Sequence, residues 1–251
     1  MEVCAMNQTL RLLLIDDNPD DRTLAVRELR RNFTNVEIVE IADAERFSKA
    51  LQAGGFDLVI TDYQLRWTDG VTVLRTVKNH WPDCPVVMFT ATGSEEVAVE
   101  AMKAGLNDYV LKSPKHFTRL TAAVRLALEQ ARQQQALREA ETRYRSLFDG
   151  VPVGLYRSTP TGKFLDANPA LVQMLGYPNR ESLLDVNLNH LYADTDERQR
   201  WQTLVEREGV VQNFEVQVRR LDGTIIWVRN SARAVRDEQN QVLYYEGAMV
   251  V

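Results

Sequence analysis

Five short runs of aliphatic and β-branched residues recur through the first half of the chain, and each has the length of a strand. They are LRLLLID, VEIVEIA, FDLVITD, PVVMFTA and NDYVLK, at residues 10–16, 36–42, 56–62, 85–91 and 107–112. Segments with apolar residues at helical spacing separate the runs. Strands that are apolar on both faces and alternate with helices predict a parallel sheet covered by helices on each side. We therefore expect a doubly wound, five-stranded α/β domain over residues 8–131.

A long helix is predicted next, because no glycine or proline occurs between Lys115 and Phe148 and strong helix formers dominate there. Two stretches of 3-4 apolar spacing are offset across a run of glutamines: Phe117, Leu120, Val124, Ala127 and Ala131, then Leu137, Ala140, Tyr144 and Leu147. We expect residues 132–145 to be a helical linker. Two interpretations stay open: a core helix of the first domain followed by a solvated spacer, or a signalling helix that pairs between two chains.

Longer alternating strands distinguish residues 146–251. The runs FEVQV and IIWV flank the dipeptide Asp222-Gly223, which is a strong tight-turn signal. A second turn, at residues 237–240, precedes the final run VLYYEGAMVV. An antiparallel meander that follows shorter helical segments predicts an α+β domain.

Composition excludes several classes of protein. The chain is 45% hydrophobic and 26% charged, which excludes disorder as its main state. No apolar run approaches the roughly 18 to 20 residues of a membrane span, the start lacks a secretory signal, and the two cysteines, Cys4 and Cys84, lie far apart, so we expect a cytosolic protein. Residues 1–140 carry 17 basic and 20 acidic residues, and the remainder 13 and 15, so we expect no direct binding to nucleic acid.

Polar residues that end the predicted strands are the candidates for chemistry, because the functional crevice of an open parallel sheet lies beyond the carboxyl ends of its strands. The first strand ends in Asp16-Asp17, the third in Asp62, the fourth in Thr90 and the fifth in Lys112. A single aspartate at a strand end is as readily a helix cap, and Asp20 and Asp21 are expected only to cap. The five residues together, in strand order, predict a site.

Carboxylates placed together repel one another unless a cation lies among them, and oxygen ligands favour Mg²⁺. With the metal bound, Asp62 could attack a phosphoryl donor to give an aspartyl phosphate. The Lys112 ammonium and the Thr90 hydroxyl would then bind the transferred oxygens.

The segments LLLIDDNPDDR, VITDY, FTAT and DYVLKSP resemble the response-regulator receiver family across about residues 10–131. The resemblance implies a flavodoxin-like fold and phosphorylation of Asp62 by a histidine kinase or phosphotransfer protein. It further implies that Asp16 and Asp17 bind the metal and that the backbone carbonyl of Gln64 is another ligand. The resemblance also implies that Thr90 and Tyr109 form a switch pair and that Lys112 pairs with the phosphate.

Two positions depart from the family pattern. Receivers commonly have proline four residues after the phosphoacceptor, where this chain has Arg66, and they commonly have proline directly after the lysine, where this chain has Ser113 before Pro114. A cis Ser113–Pro114 bond is consistent with the sequence.

The second half resembles a PAS domain over about residues 144–251, through GLYRSTPTGKFLDANPALVQMLGY, LYADTDERQRW, RRLDGTIIWVRNSA and YYEG. Asn168-Pro169 and Asp194 are expected to start helices. This half has no cysteine, which excludes cysteinyl-flavin photochemistry, and its one histidine, His190, lies outside the position where heme-binding members carry their ligand. We therefore expect neither cofactor, and the ligand of this half, if it has one, is left unspecified.

The resulting hypothesis is a non-enzymatic response regulator in which phosphorylation of Asp62 is relayed through the long helix to a PAS module, with a homodimer as the expected assembly. The first alternative is the front part of a hybrid histidine kinase or diguanylate cyclase whose catalytic domain follows Val251. The second is a Mg²⁺-dependent phosphatase with an aspartyl nucleophile, but Asp16-Asp17-Asn18 lacks the Asp-x-Asp pattern of such enzymes.

Overall fold

A computed structural model describes residues 9–92, 95–113 and 117–251, with only the backbone of Phe117. Contacts divide the chain into two compact units, the first ending at Arg138 and the second beginning at Glu139. This division falls inside the segment that the sequence assigned to a linker. The Ser113–Pro114 bond lies outside the described residues, so its isomer stays a prediction.

The first unit contains a parallel five-stranded sheet between helices. Its main strands are β1 (Leu10–Ile15), β2 (Val36–Ile41), β3 (Leu58–Thr61), β6 (Val86–Thr90) and β7 (Asp108–Leu111), and two short strands, β4 (Gln64–Leu65) and β5 (Thr68–Asp69), pair with each other. Its helices are α1 (Pro19–Asn32), α2 (Ala44–Ala53), α3 (Gly70–His80), α4 (Glu95–Lys103) and the first part of α5 (Phe117–Gly150). The sheet order is β2-β1-β3-β6-β7, and the predicted fold class is confirmed.

Alternating residues of the central strand explain why both faces of this sheet are covered. In β1, Leu12 and Leu14 pack with residues of α1 and α5, whereas Leu13 and Ile15 pack with residues of α2, α3 and α4. Because side chains alternate along a strand, a run that is apolar at every position builds two cores at once. Helices are therefore needed on both sides of the sheet.

The first apolar stretch of helix α5 is buried in a core, whereas large apolar residues of its second stretch are exposed. Leu120, Val124 and Ala127, from the first apolar stretch, are buried in the core with β1 and α1. In the second stretch, Leu137 is 70% exposed and Leu147 is 66% exposed. The first part of α5 is thus a core helix, and pairing of the second part between two chains stays a prediction.

The second unit contains an antiparallel sheet packed against short helices. Its strands are β8 (Gly154–Ser158), β9 (Phe164–Ala167), β10 (Val210–Arg219), β11 (Ile225–Arg236) and β12 (Val242–Val250), in the order β10-β11-β12-β8-β9. Its helices are α6 (Pro169–Leu175), α7 (Arg180–Leu184) and α8 (Thr195–Glu208), with a 3-10 turn at Leu188–His190. The predicted antiparallel α+β class is confirmed. Within the described ranges, none of the helices is long and apolar enough to span a bilayer.

Asn168 is the structural centre of the motif that the sequence predicted as a helix start. Its side-chain oxygen accepts from the backbone N–H of Leu171 (3.0 Å), which caps α6, and from that of Leu155 (2.8 Å) in β8. Its side-chain nitrogen donates to the carbonyls of Phe148 (3.0 Å) and Val153 (2.8 Å). Asn168 therefore joins the end of α5, the start of β8 and the start of α6.

The ring of Tyr156 crosses the neighbouring strand β12 at a glycine, where no side chain blocks it. Its hydroxyl donates to the side-chain oxygen of Asn230 in β11 (3.0 Å), and to reach it the ring crosses β12 at Gly247. A Cβ at Gly247 would lie 2.3 Å from Cζ of this ring. The close approach fixes the ring against the inner face of the sheet.

We predict that Gly247→Ala lowers the free energy of unfolding of the second unit by about 1–3 kcal/mol, because the added methyl group overpacks the Tyr156 contact. The measurement is urea unfolding of the whole chain, read from hydrogen exchange of amides in β11 and β12. Gly150→Ala, where a Cβ would meet nothing within 4 Å, is the matched control. Equal stability of the two variants would contradict the prediction.

Candidate functional site

Four strands deliver polar side chains to one edge of the parallel sheet. Asp16 follows β1, Asp62 follows β3, Thr90 ends β6 and Lys112 follows β7. The sheet's hydrogen bonding continues to these residues: the amide of Asp16 donates to Ile41 (3.0 Å), that of Asp62 to Ile15 (2.8 Å) and that of Lys112 to Thr90 (2.7 Å). Their backbones are therefore fixed by neighbouring strands.

The Lys112 ammonium lies among three carboxylates. Its Nζ is 2.6 Å from Asp62 Oδ2, 2.7 Å from Asp16 Oδ2 and 2.9 Å from Asp21 Oδ2. The side chains of Lys112 and Asp16 are only 6% and 4% exposed, so water contributes little to their solvation. These four residues, which we call the Lys112 cluster, therefore interact mainly with one another.

Burial and charge act in opposite directions on the cluster. Burial would lower the pKa of Lys112, but hydrogen bonds to Asp16, Asp62 and Asp21 outweigh it and raise that pKa. Burial also raises the pKa of Asp16, and the hydrogen bond from Lys112 only partly opposes the rise. One ammonium thus does not fully compensate three carboxylates, and the cluster carries an excess of two negative charges.

A divalent cation fits this donor set. Carboxylate oxygens of Asp16, Asp21 and Asp62 lie within 4.8 Å of one another. All are hard oxygen donors, and the charge of a divalent ion equals the excess of the cluster. Of the ions that such donors bind, Mg²⁺ usually takes one or two carboxylates and keeps several waters.

Asp17, which the sequence paired with Asp16 as a metal ligand, is not part of that group. Its Oδ2 accepts from the backbone N–H of Arg66 (2.7 Å) and lies 3.6 Å from the guanidinium of the same residue. Neighbouring side chains at a strand end point in different directions, which separates the two aspartates. To join the metal ligands, Asp17 would have to leave the Arg66 amide.

The sequence reasoning missed Asp21, which it assigned to helix capping. The cap of α1 is Asn18, whose side chain accepts from the amide of Asp20 (3.0 Å). The carboxylate of Asp21 instead lies 2.9 Å from Lys112 Nζ. The position of Asp21 could have indicated this role, because a residue in the first turn of a helix that directly follows β1 can face back over the sheet edge.

The predicted switch residues are linked through Thr92. The Thr90 hydroxyl donates to the carbonyl of Thr92 (2.9 Å), and the Tyr109 hydroxyl donates to the same oxygen at 3.5 Å. Burial raises the pKa of Tyr109, and the negative charge of Asp62 adds to the rise. The two hydroxyls therefore share one acceptor.

The loop after Asp62 has a short hairpin that the sequence did not predict. Gln64 pairs with Asp69 in it, and Arg66 lies in its turn, at the position that departs from the family pattern. Gly70 follows, and a Cβ there would lie 2.5 Å from the carbonyl oxygen of Asp62. The amide of Tyr63 donates to Oδ1 of Asp62 (2.6 Å) and thereby fixes the Asp62 side chain at the start of this loop.

Two family models match the chain. Residues 12–125 match the response regulator receiver domain, and residues 142–207 match the PAS domain. Both resemblances inferred from the sequence are thereby confirmed.

Individual relatives cover the chain to different extents. The transcriptional regulatory protein BaeR of Escherichia coli O6:H1 is 28% identical over 192 residues, covering 74% of this chain and 76% of BaeR. The sensor histidine kinase TmoS of Ectopseudomonas mendocina is 24% identical over an alignment of 272 residues, covering 93% of this chain and 27% of TmoS. The transcriptional regulatory protein ZraR of Salmonella typhimurium is 41% identical over 81 residues, covering 32% of this chain and 18% of ZraR.

Solved structures similar to the chain include one for each half. The CheY-like receiver domain protein of Methanospirillum hungatei JF-1 has a TM-score of 0.47 and 22% identity, and covers 51% of this chain and 99% of its own. The PAS domain of a Colwellia psychrerythraea protein has a TM-score of 0.39 and 21% identity, and covers 44% of this chain and 94% of its own.

We predict that Lys112→Met lowers the free energy of unfolding of the first unit by about 3–5 kcal/mol in the presence of EDTA, because three carboxylates then lose their buried cation. Urea unfolding followed by hydrogen exchange of β1 and β3 amides measures the loss. Lys49→Met is the control, since Lys49 is 72% exposed in its ion pair with Glu45 and such pairs contribute little. Similar losses for both variants would show that the cluster has no special role in stability.

Proposed function

We propose, for a chain that carries a response regulator receiver domain followed by a PAS domain, that Asp62 accepts a phosphoryl group from a histidine kinase or phosphotransfer protein. The observation that carries the proposal is the Lys112 cluster at the carboxyl edge of the sheet. It combines a carboxylate nucleophile, a buried ammonium and a carboxylate set suited to Mg²⁺.

In the proposed step, a carboxylate oxygen of Asp62 attacks the phosphorus of a phosphohistidine. A P–O bond forms, the P–N bond breaks, and the electron pair of that bond leaves with the imidazole nitrogen. Mg²⁺, held by Asp16, Asp62, the carbonyl of Gln64 and, after it turns, Asp17, would neutralise negative charge on the phosphoryl oxygens. Oδ1 of Asp62 accepts from the amide of Tyr63 and Oδ2 accepts from Lys112, so the attacking oxygen has to give up one of these contacts.

Lys112 has a second task once Asp62 is phosphorylated. The new group adds about −1.5 to −2 charges and three acceptor oxygens to the cluster. The Lys112 ammonium already lies 2.6 Å from Asp62 Oδ2, so it can bond a phosphoryl oxygen with a small movement. Its contacts with Asp16 and Asp21 then hold the ammonium at the site.

The switch follows from the acceptor that Thr90 and Tyr109 share. A phosphoryl oxygen is a stronger acceptor than the carbonyl of Thr92, so the Thr90 hydroxyl is expected to turn toward it. That movement frees space beside β6, and Tyr109 is then expected to turn inward. The change of surface near β7 and α5 is the output of the receiver.

We further propose that the output passes along α5 to the PAS domain, with a homodimer as the working assembly. The exposed apolar residues of the second stretch, Leu137 and Leu147, support pairing of α5 between chains. The PAS domain acts here as a dimerisation or sensory module.

A second candidate is that this sequence is part of a larger sensor kinase. The alignment with the sensor histidine kinase TmoS, which covers 93% of this chain and 27% of TmoS, favours it. The test is an immunoblot of the native protein from its own cells. A band well above 28.7 kDa would favour the kinase, and a band at 28.7 kDa the separate regulator.

We predict that acetyl phosphate with Mg²⁺ adds the mass of one phosphoryl group to this chain and that Asp62→Asn abolishes the addition, because an amide is a poor nucleophile. Intact-mass spectrometry measures uptake, and light scattering on the same samples tests the dimer. Uptake by Asp62→Asn at the wild-type rate would refute the assignment. Continuous release of phosphate from a generic phosphate ester would instead favour a phosphatase.

We predict that Asp21→Asn weakens Mg²⁺ binding about 10-fold or more, because it removes one carboxylate from the cluster that the metal is proposed to neutralise. Titration calorimetry measures the affinity. Asp20→Asn is the matched control, since Asp20 is the exposed neighbour of Asp21 and lies in the same helical turn. Equal affinities in the two variants would show that the charge of Asp21 does not contribute to Mg²⁺ binding.

A further inference from the structure

The hairpin formed by β4 and β5 holds a contact that Asp17 must leave before it can bind a metal. Oδ2 of Asp17 accepts from the backbone N–H of Arg66 (2.7 Å), and Nε of the Arg66 side chain lies 3.6 Å from the same oxygen. Hydrogen bonds to a carboxylate are stronger than those between neutral groups. In this structure Asp17 is therefore bound to the hairpin and lies outside the carboxylate group suited to a metal.

The donor in this contact exists because residue 66 is not proline. Proline has no backbone N–H, and receivers commonly have proline at this position, four residues after the phosphoacceptor. Arg66 supplies the N–H and adds a positive charge on its side chain. Both features favour the contact with Asp17, and proline would provide neither.

Side chains on both sides of Arg66 anchor the hairpin to the core of the first unit. Leu65 is buried, and Trp67 packs against the same core, where its ring centre lies 5.6 Å from that of Phe47 in α2. The backbone between two anchored residues has little freedom to move. The amide of Arg66 therefore does not follow Asp17 when the carboxylate turns toward a metal, and the hydrogen bond has to break.

The base of the hairpin is also closed. The amide of Gly70 donates to the carbonyl of Tyr63 (2.8 Å), and Gln64 pairs with Asp69 just above this bond. The carbonyl of Gln64 is a proposed ligand of Mg²⁺. One anchored loop thus carries a proposed metal ligand together with Arg66, which occupies another.

We propose that Arg66 is a positioning residue that competes with Mg²⁺ for Asp17 and thereby weakens the affinity of the receiver for the metal. This inference rests on the proposed function, from which it takes the Mg²⁺ site. Binding of the ion exchanges the amide contact of Asp17 for a metal contact, so the hydrogen bond that is lost opposes metal binding. By thermodynamic linkage, bound Mg²⁺ weakens the contact between Asp17 and the hairpin to the same extent.

The first test follows the Arg66 amide in the full-length chain by hydrogen exchange, in EDTA and in saturating Mg²⁺. We expect this amide to be protected in EDTA and to exchange about 10-fold faster with Mg²⁺, because its charged acceptor has left. The amide of Gly70, in the same hairpin, is the internal control and should stay protected. Unchanged protection of Arg66 would overturn the proposal. An equal loss at Gly70 would indicate opening of the whole hairpin and would overturn it as well.

The second test compares Mg²⁺ affinities of two Arg66 variants by titration calorimetry. Arg66→Gln removes the charge and keeps the amide, whereas Arg66→Pro removes both. We expect the affinity to rise about 2-fold in Arg66→Gln, because the Arg66 side chain is 86% exposed, and about 10-fold in Arg66→Pro. Arg75→Gln, which removes an exposed charge paired with Glu100, is the matched control and should bind as the wild type does. Equal affinities of Arg66→Pro and Arg66→Gln would overturn the proposal.

A variant of Asp17 keeps the test decisive if Arg66→Pro does not fold. In Asp17→Ala the Arg66 amide is expected to exchange rapidly in EDTA and in Mg²⁺ alike, because its acceptor is missing. Protection that persists in Asp17→Ala would show that another group accepts from this amide, and the competition for Asp17 would be disproved.

Failure of this inference is distinguishable from failure of the proposed function. Absence of saturable Mg²⁺ binding and of phosphoryl uptake from acetyl phosphate in the wild type would overturn both. Mg²⁺ binding and phosphorylation of Asp62, together with an Arg66 amide that stays protected, would overturn the role of Arg66 alone.

Discussion

The contact of Lys112 with three carboxylates is the constraint on which the receiver half depends. Its ammonium lies within hydrogen-bond distance of Asp16, Asp62 and Asp21, which come from two strand ends and one helix. Burying these carboxylates without a cation would cost several kcal/mol for each ion. The lysine therefore stabilises the edge of the sheet, but it leaves an excess of negative charge. That excess makes a further cation electrostatically favourable there.

Topology explains how much of this site the sequence could predict. In a parallel sheet all carboxyl ends lie on one edge, so the order of strands alone brings Asp16, Asp62, Thr90 and Lys112 together. The strands of the first half were predictable because they are apolar on both faces, and those of the second half because apolar and polar residues alternate along them. Both predictions rest on the spacing of apolar residues in the sequence, which requires no knowledge of tertiary contacts.

What the sequence did not predict depends on directions that only the folded chain defines. Asp21 reads as a capping residue, and the turn of α1 decides whether its carboxylate faces solvent or Lys112. Arg198 reads as one of several charges in a polar helix start, although it is buried. Asp17 was expected beside Asp16, but the hairpin that holds Arg66 engages it. At each of these positions the neighbouring sequence is the same whichever way the side chain points.

The two halves accommodate charged side chains in different ways, and the difference follows from how each fold makes its interior. The parallel sheet collects side chains at an open edge, where carboxylates can be gathered and a cation can enter from solvent. The antiparallel sheet of the PAS domain covers one face with helices, so Arg198 and Asn230 lie in a closed interior where charge has no access to water. An excess charge is therefore more costly in the second half than in the first. The edge can take up a counter-ion from solvent, whereas in the interior the charge of Arg198 acts on Glu206 of the same helix, so its compensation is part of the fold.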